Sequence, residues 1–360
     1  MKTKKNLDIM IAIALALVVA GLFFLNAKHD VDLYNTRPPE NINIYGETVV
    51  LNSMTLQQKI AQMLIVYGLN ENKEFYQNVG VGGIFLTAME SPSGFVETTK
   101  YFQSGAKIPF LFSTDVEGCV NTLANFARFP SFSEIETEDA AHALGESQGV
   151  LMKSLGLQIN FAPVVDLSDS IWKCRSFPGM PEEISRKASS YIAGLQSTGI
   201  IATTKHYPGR TLDVRDPHRL TAAAEITKAD ILPFRETIRS GVKAVMVSHV
   251  IASGEVFSDG KPAVVSRRAI DAIGKFDGLI ITDDINMLGL KRYYNNNDEQ
   301  MYVDLFAAGN DMILDVAASP QEITKIIDTV AAAVNRGDIS EGQIDRSVKK
   351  ILKAKGFEII

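Results

Sequence analysis

The sequence predicts an α/β protein built as a (β/α)8 barrel. From Thr55 onward, eight short apolar runs alternate with segments of helical pattern. The runs are continuously apolar rather than alternating, which suits parallel strands covered on both faces. Eight such units in about 300 residues also match the size of this barrel. A doubly wound open sheet is the alternative arrangement. No Gly-x-Gly-x-x-Gly follows a strand and no phosphate-binding loop is present, so no nucleotide cofactor is expected.

Before the barrel, Lys2, Lys4 and Lys5 precede an almost unbroken apolar run from Ile9 to Leu25. This reads as a signal peptide or an uncleaved membrane anchor over residues 1–27, with the rest of the chain exported to the periplasm or cell surface. Seventeen residues lie at the short limit for a span. The best cleavage site, after Ala27, has the large Leu25 at its −3 position, which favours the anchor. Residues 28–53, with Arg37-Pro38-Pro39-Glu40, read as a linker, and residues 54–360 as one domain.

Within the domain, Thr55-Leu56-Gln57-Gln58 has capping-box spacing and starts a short helix. The expected strands are Met63–Tyr67, Gly82–Leu86, Pro109–Thr114, Ile159–Val164, Ile200–Thr204, Ala244–Ser248, Gly278–Thr282 and Met312–Leu314. Helices are expected over Gly94–Gly105, Glu138–Leu155, from Pro181 to Gly199, over Lys228–Ser240, Arg267–Ile273 and Glu299–Ala308, and finally over Pro320–Asn335 and Glu341–Lys355. Several stop at a glycine, as helices with a left-handed C′ residue do.

The active site of such a barrel lies at the C-terminal ends of the strands. Read strand by strand, that rim receives Asp115 and Glu117, Asp166 with Arg175 beyond it, Lys205 and His206, His249, Asp283 and Asp284, and Asp315. Polar residues reappear wherever strands surface, but that does not explain the concentration of carboxylates and histidines here. The pattern lacks a Cys₂ or His₃ metal set and suits a ligand with many hydroxyl groups. A carboxylate opposite a proton donor suits cleavage of a glycosidic bond. Asp216 and His218, two apart in an extended loop, share a side, so the carboxylate can raise the basicity of the imidazole. A net charge of −6, with no basic block past the N-terminus, argues against nucleic-acid binding.

The segments Lys205-His206-Tyr207-Pro208-Gly209, Asp216-Pro217-His218, Arg175-Ser176-Phe177, Pro233-Phe234-Arg235, Met246-Val247-Ser248-His249 and Ile281-Thr282-Asp283-Asp284-Ile285-Asn286-Met287 occur in order. Together they resemble the family-3 glycoside hydrolases, and specifically the bacterial β-N-acetylglucosaminidase branch. The resemblance runs from about Thr55 to Leu352. It implies a single (β/α)8 barrel, a retaining double displacement, no metal and no cofactor. By the same resemblance Asp283 is the nucleophile, His218 the general acid/base and Asp216 its partner, while Asp115, Arg175, Lys205, His206 and His249 bind the sugar. The implied ligand is an oligosaccharide carrying β-linked N-acetylglucosamine; a monomer is expected, with its apolar N-terminal segment associated with a membrane. Phosphorolysis, β-glucoside hydrolysis and non-catalytic glycan binding are the alternatives.

The sequence departs from the family pattern in two places. Family members usually carry Asp-x-Glu-Gly-Gly-x-Val-x-Arg, whereas Cys119 stands at the second glycine and Leu123 at the arginine. The usual Pro-Gly-His-Gly is here Pro208-Gly209-Arg210-Thr211. Cys119 and Cys174 are the only cysteines and both fall in rim loops. In an exported protein they could form a disulfide between the loops or remain two thiols. Trp172, the one tryptophan, falls in the same loop as Cys174, where both sugar stacking and loop packing are open to it.

Overall fold

The computed structural model describes residues 42–212 and 222–360. The expected anchor at 9–25, Asp216 and His218 lie outside the described residues. Among the described residues no helix is long and apolar enough to cross a membrane.

In chain order the elements are β1 (Ile44–Tyr45), β2 (Thr48–Val49), α1 (Leu56–Gln62), β3 (Leu64–Tyr67), α2 (Lys73–Val79), β4 (Gly83–Phe85), α3 (Pro92–Gln103), β5 (Leu111–Thr114), α4 (Glu138–Ser154), β6 (Ile159–Asn160), α5 (Pro181–Ser197) and β7 (Ile201–Tyr207). They continue as β8 (Ala223–Ile226), α6 (Lys228–Arg239), β9 (Ala244–Val247), β10 (Ile251–Gly254), α7 (Arg267–Asp271), β11 (Leu279–Thr282), α8 (Leu288–Tyr293), α9 (Asp298–Ala308), β12 (Ile313–Asp315), α10 (Pro320–Arg336), α11 (Glu341–Ala354) and β13 (Glu358–Ile359).

Eight of these strands form one sheet in the order β11-β9-β7-β6-β5-β4-β3-β12. Every described pairing in it is parallel. The two ends of the sheet meet through an Ile281–Met312 bridge and hydrogen bonds from Thr282 N to Met312 O and from Ile285 N to Leu314 O, both 3.0 Å. The sheet is therefore a nearly closed barrel, and the open doubly wound alternative does not apply. All eight expected strands are found, their bounds shifted by a few residues, because buried continuous apolar runs leave little choice of element.

The helix starts follow local chemistry. Thr55 N donates to Gln58 Oε1 at 2.8 Å and Gln58 N donates to Thr55 Oγ1 at 3.2 Å, the capping box expected before α1. Ser319 and Glu322 repeat the device at α10. The helices pack their apolar stripes on the barrel, burying Ile323, Ile326, Ile327 and Val330 of α10 and Ile344, Val348 and Ile351 of α11.

Two features depart from the sequence reading. The expected linker, 28–53, ends too late: β1 and β2 form an antiparallel pair and β13 adds in parallel to β2. Val49 and Leu51 are buried, so the chain belongs to the fold from at least Ile42. Strands this short take their stability from pairing with a segment at the other end of the chain, which local pattern does not reveal. Secondly, β8 and β10 make a small parallel sheet outside the barrel. Ile251 N donates to Ala222 O at 2.8 Å, anchoring the chain where it resumes after residues 213–221.

Candidate active site

A cavity of about 380 Å³ is lined by residues that follow the barrel strands at their C-terminal ends, Asp115, Arg175, Lys205, His206, Asp283 and Asp284 among them. At its base sits Glu117, whose side chain has no exposed surface. Arg175 Nε donates to Glu117 Oε2 at 2.5 Å and Arg175 Nη2 to Oε1 at 2.9 Å. Lys205 Nζ lies 2.5 Å from Glu117 Oε1 and 2.7 Å from Asp115 Oδ1. Two carboxylates and two cations thus alternate, and each buried charge has an opposite partner.

The backbone around this cluster is fixed by neighbouring polar groups. Asn160, at the end of β6, accepts from Val116 N at 2.9 Å and donates to Val116 O at 3.1 Å, clamping the segment between Asp115 and Glu117. Gly118 has φ +90°, and an added Cβ would come within 2.3 Å of Pro130 O, so only glycine fits where the chain turns after Glu117. Cys119 and Cys174 form a disulfide, with their Cα atoms 6.1 Å apart. It joins the loop that carries Glu117 to the loop that carries Arg175.

Lys205 and His206 are adjacent in β7. His206 Nδ1 donates to Asp166 Oδ2 at 2.9 Å, and Asp166 also accepts the backbone N–H groups of His206 and Thr211 at 3.1 and 2.9 Å. His206 Nε2 lies 3.4 Å from Arg175 Nη2. Leu212, the last described residue before 213–221, also lines the cavity.

Asp283 follows β11, and its Oδ1 accepts from Asp284 N at 2.9 Å. Burial would raise its pKa. The imidazoles of His206 and His249, the Asp284 N–H and Lys205 outweigh burial and hold it below the ordinary aspartate value. Asp284 is raised by burial despite accepting from Asn286 N and Val316 N, each at 3.2 Å. The two adjacent carboxyls are therefore pushed apart, with Asp283 the more readily ionised. Glu117 is drawn down to about 2, since Lys205 and Arg175 overcome its burial. Burial pushes Asp115 up, Lys205 offsetting part of that and the Glu117 charge adding to it. Among the described residues no group of three or more His, Cys, Asp or Glu side chains is placed to hold a metal ion.

The model of the glycosyl hydrolase family 3 N-terminal domain matches residues 55–354. The chain belongs to glycosyl hydrolase family 3. The beta-hexosaminidase LpqI of Mycobacterium tuberculosis is 26% identical to it over 327 residues, covering 83% of this chain and 82% of that protein. A beta-hexosaminidase of Pseudomonas aeruginosa is 30% identical over 239 residues, covering 61% of this chain and 70% of that protein. Among solved structures, a glycoside hydrolase family 3 beta-N-acetylglucosaminidase from a Paenibacillus superposes with a TM-score of 0.77 at 27% identity. That match covers 84% of this chain and 62% of the other, so the chain spans less than two thirds of that protein.

In this family-3 barrel, Asp115, Arg175, Lys205, His206 and Asp283 come together in one cavity, while Asp216 and His218 lie outside the described residues. His249 lies deeper. It is 4% exposed and is not among the residues lining the cavity. Its Nε2 donates to Asp284 O at 2.9 Å, and among the described residues its Nδ1 has no hydrogen-bond partner. This hydrogen bond ties His249 to the segment that carries Asp283. A residue's place at the end of a strand fixes its height in the barrel, but not whether the side chain turns inward or behind its neighbour.

Glu117, Asp166 and Asn160 were not expected as site residues. The first two were visible as rim carboxylates, yet nothing local separates a carboxylate that faces the ligand from one that holds a cation in place. The departures from the family pattern also have structural places. Leu123 is buried in the core, and Arg210 Nε donates to Asp230 Oδ1 at 2.9 Å.

Proposed function

We propose that this family-3 glycoside hydrolase is a retaining, exo-acting β-N-acetylglucosaminidase. It removes terminal β-linked N-acetylglucosamine from cell-wall fragments or chitooligosaccharides. The observation that carries the reading is Asp283: a carboxylate kept ionised at the end of β11, in a cavity shared with Asp115, Lys205, Arg175 and His206.

In this reading the charged and imidazole groups grip the sugar hydroxyls and orient the anomeric carbon toward Asp283. Oδ1 is engaged by the Asp284 N–H, so Oδ2 attacks and forms the glycosyl-enzyme bond as the leaving oxygen departs. His218, paired with Asp216, protonates that oxygen and then takes a proton from the water that releases the sugar. These two roles rest on the family resemblance. The beta-hexosaminidase names of the relatives support the choice of sugar. The disulfide supports export, since such bonds persist in oxidising compartments, and the apolar segment 9–25 supplies the signal or anchor.

The test is release of a fluorescent phenol from its β-N-acetylglucosaminide by the wild type, Asp283→Asn and His218→Ala. The reading requires release by the wild type, abolished in the first variant and strongly reduced in the second. Release from the β-glucoside alone would overturn the substrate. A sugar 1-phosphate formed only when phosphate is added would replace hydrolysis by phosphorolysis.

A further inference from the structure

The loop between Asp169 and Arg175 is restrained at nearly every residue. One carboxylate, Asp169, accepts the backbone N–H groups of Trp172, Cys174 and Arg175 at 2.7, 3.0 and 2.9 Å. Lys173 sits in the left-handed region at φ +61°, a conformation that persists only where the surroundings impose it. Ser170 N donates to Leu212 O at 3.1 Å, and Cys174 is bonded to Cys119 across the rim. Trp172 is carried by this restrained loop. Its ring lies over the Arg175 guanidinium, with Cζ 4.8 Å from the ring centroid, and it lines the cavity while remaining 36% exposed.

These facts give the cavity a direction. Exposure rises in steps, from Glu117, wholly buried, through Arg175 against it to Trp172, which stacks on Arg175 and is partly open to solvent. In the reading above, the sugar attacked by Asp283 occupies the polar interior, which puts the more exposed Trp172 on the way out for the rest of the substrate. A β-linked pyranose presents axial C–H groups on its ring face, and an aromatic face attracts them. A rigid indole at the mouth loses little freedom on binding.

We propose that Trp172, held in place by the Cys119–Cys174 disulfide, is the stacking platform for the second sugar residue of the substrate, on the leaving-group side of the bond cleaved. This rests on the β-N-acetylglucosaminidase reading above. Trp172 determines substrate preference; Cys119 and Cys174 are positioning residues.

Trp172 is the only tryptophan in the chain, so tryptophan emission reports on this loop alone. The full-length Asp283→Asn protein is titrated with N-acetylglucosamine and with N,N′-diacetylchitobiose, while calorimetry measures binding of each. The expected result is a saturable change in emission with the disaccharide, well beyond that given by the monosaccharide. Binding of both sugars with equal emission changes, or with none, overturns the platform and leaves the enzymatic reading standing. Failure of both sugars to bind overturns the two together.

Kinetics supply the second arm, comparing chitobiose with methyl β-N-acetylglucosaminide, which has no second sugar. Trp172→Ala should lower the ratio of their kcat/KM values about tenfold, with Trp172→Phe recovering most of it. Cys119→Ser/Cys174→Ser should raise KM for chitobiose relative to the methyl glycoside. Equal losses on both substrates would mean that Trp172 merely props Arg175, and would overturn the proposal.

Discussion

Arg175 grips Glu117 through two parallel hydrogen bonds, 2.5 and 2.9 Å long, around a carboxylate with no exposed side-chain surface. Lys205 reaches the same carboxylate and also Asp115. Glu117 thus couples strand β5, strand β7 and the loop after β6 at one point. Its negative charge is what allows a guanidinium and an ammonium to share a buried site.

Glu117→Gln should therefore destabilise the protein strongly. It keeps the shape but leaves two buried cations with less than their balancing charge, a loss on the order of 3–5 kcal/mol. Urea denaturation of the variant beside the wild type measures it. A loss below about 1 kcal/mol would mean that the cations turn out to solvent, contrary to the observed packing.

The same carboxylate predicts acid sensitivity. Glu117 falls from its ordinary 4.5 to about 2 in the fold, so its contribution is present in full above 4.5 and is lost as pH falls toward 2. Asp115, raised by burial, acts with the opposite sign. The melting temperature should fall between pH 4.5 and 2, and Glu117→Gln should flatten that fall. An unchanged slope in the variant would assign the acid loss to other groups.

Asp315 predicts the reverse dependence. Burial raises it to about 6, although Asn286 Nδ2 and Ala317 N both donate to it. Its protonated form is favoured by the fold, so its contribution is present below its ordinary 3.8 and is lost as pH rises through 6. Asp315→Asn mimics the protonated group and keeps an acceptor for both donors. It should stabilise the protein at pH 8, by at most roughly 3 kcal/mol, and so raise the melting temperature there, while changing it little at pH 4. Destabilisation at both pH values would show that the charge is needed.

The disulfide closes a loop across a sequence separation of 55. Cross-linking a loop of this length stabilises by about 4 kcal/mol in the chain-entropy account. Reductant should lower the melting temperature of the wild type and leave that of Cys119→Ser/Cys174→Ser unchanged. Alkylation should modify both cysteines only after reduction. Alkylation of both without reductant would exclude the bond.

Much of this architecture was legible locally. Each barrel strand is a buried apolar run bounded by turns, and Thr55 with Gln58 announced α1. The short segments β1, β2, β8 and β10 were not legible, because two to four residues gain strand geometry only from distant partners. At the site, strand ends placed Asp115, Lys205, His206 and Asp283 at one rim. They did not show that Glu117 and Asp166 turn to hold Arg175 and His206, nor that His249 donates to the backbone oxygen of Asp284.

By itself, then, the sequence determined the barrel, the rim and the group of residues that meets there. These follow from apolar periodicity and from the rule that parallel strands deliver their C-terminal ends to one face. The tertiary structure alone decided which carboxylate is buried against which cation, that Cys119 pairs with Cys174, and that Trp172 stands over Arg175. Those relationships are set by distances of a few ångströms between segments far apart in the chain, such as Lys205 and Asp115, 90 residues apart. Burial then turns each of those distances into a charge state.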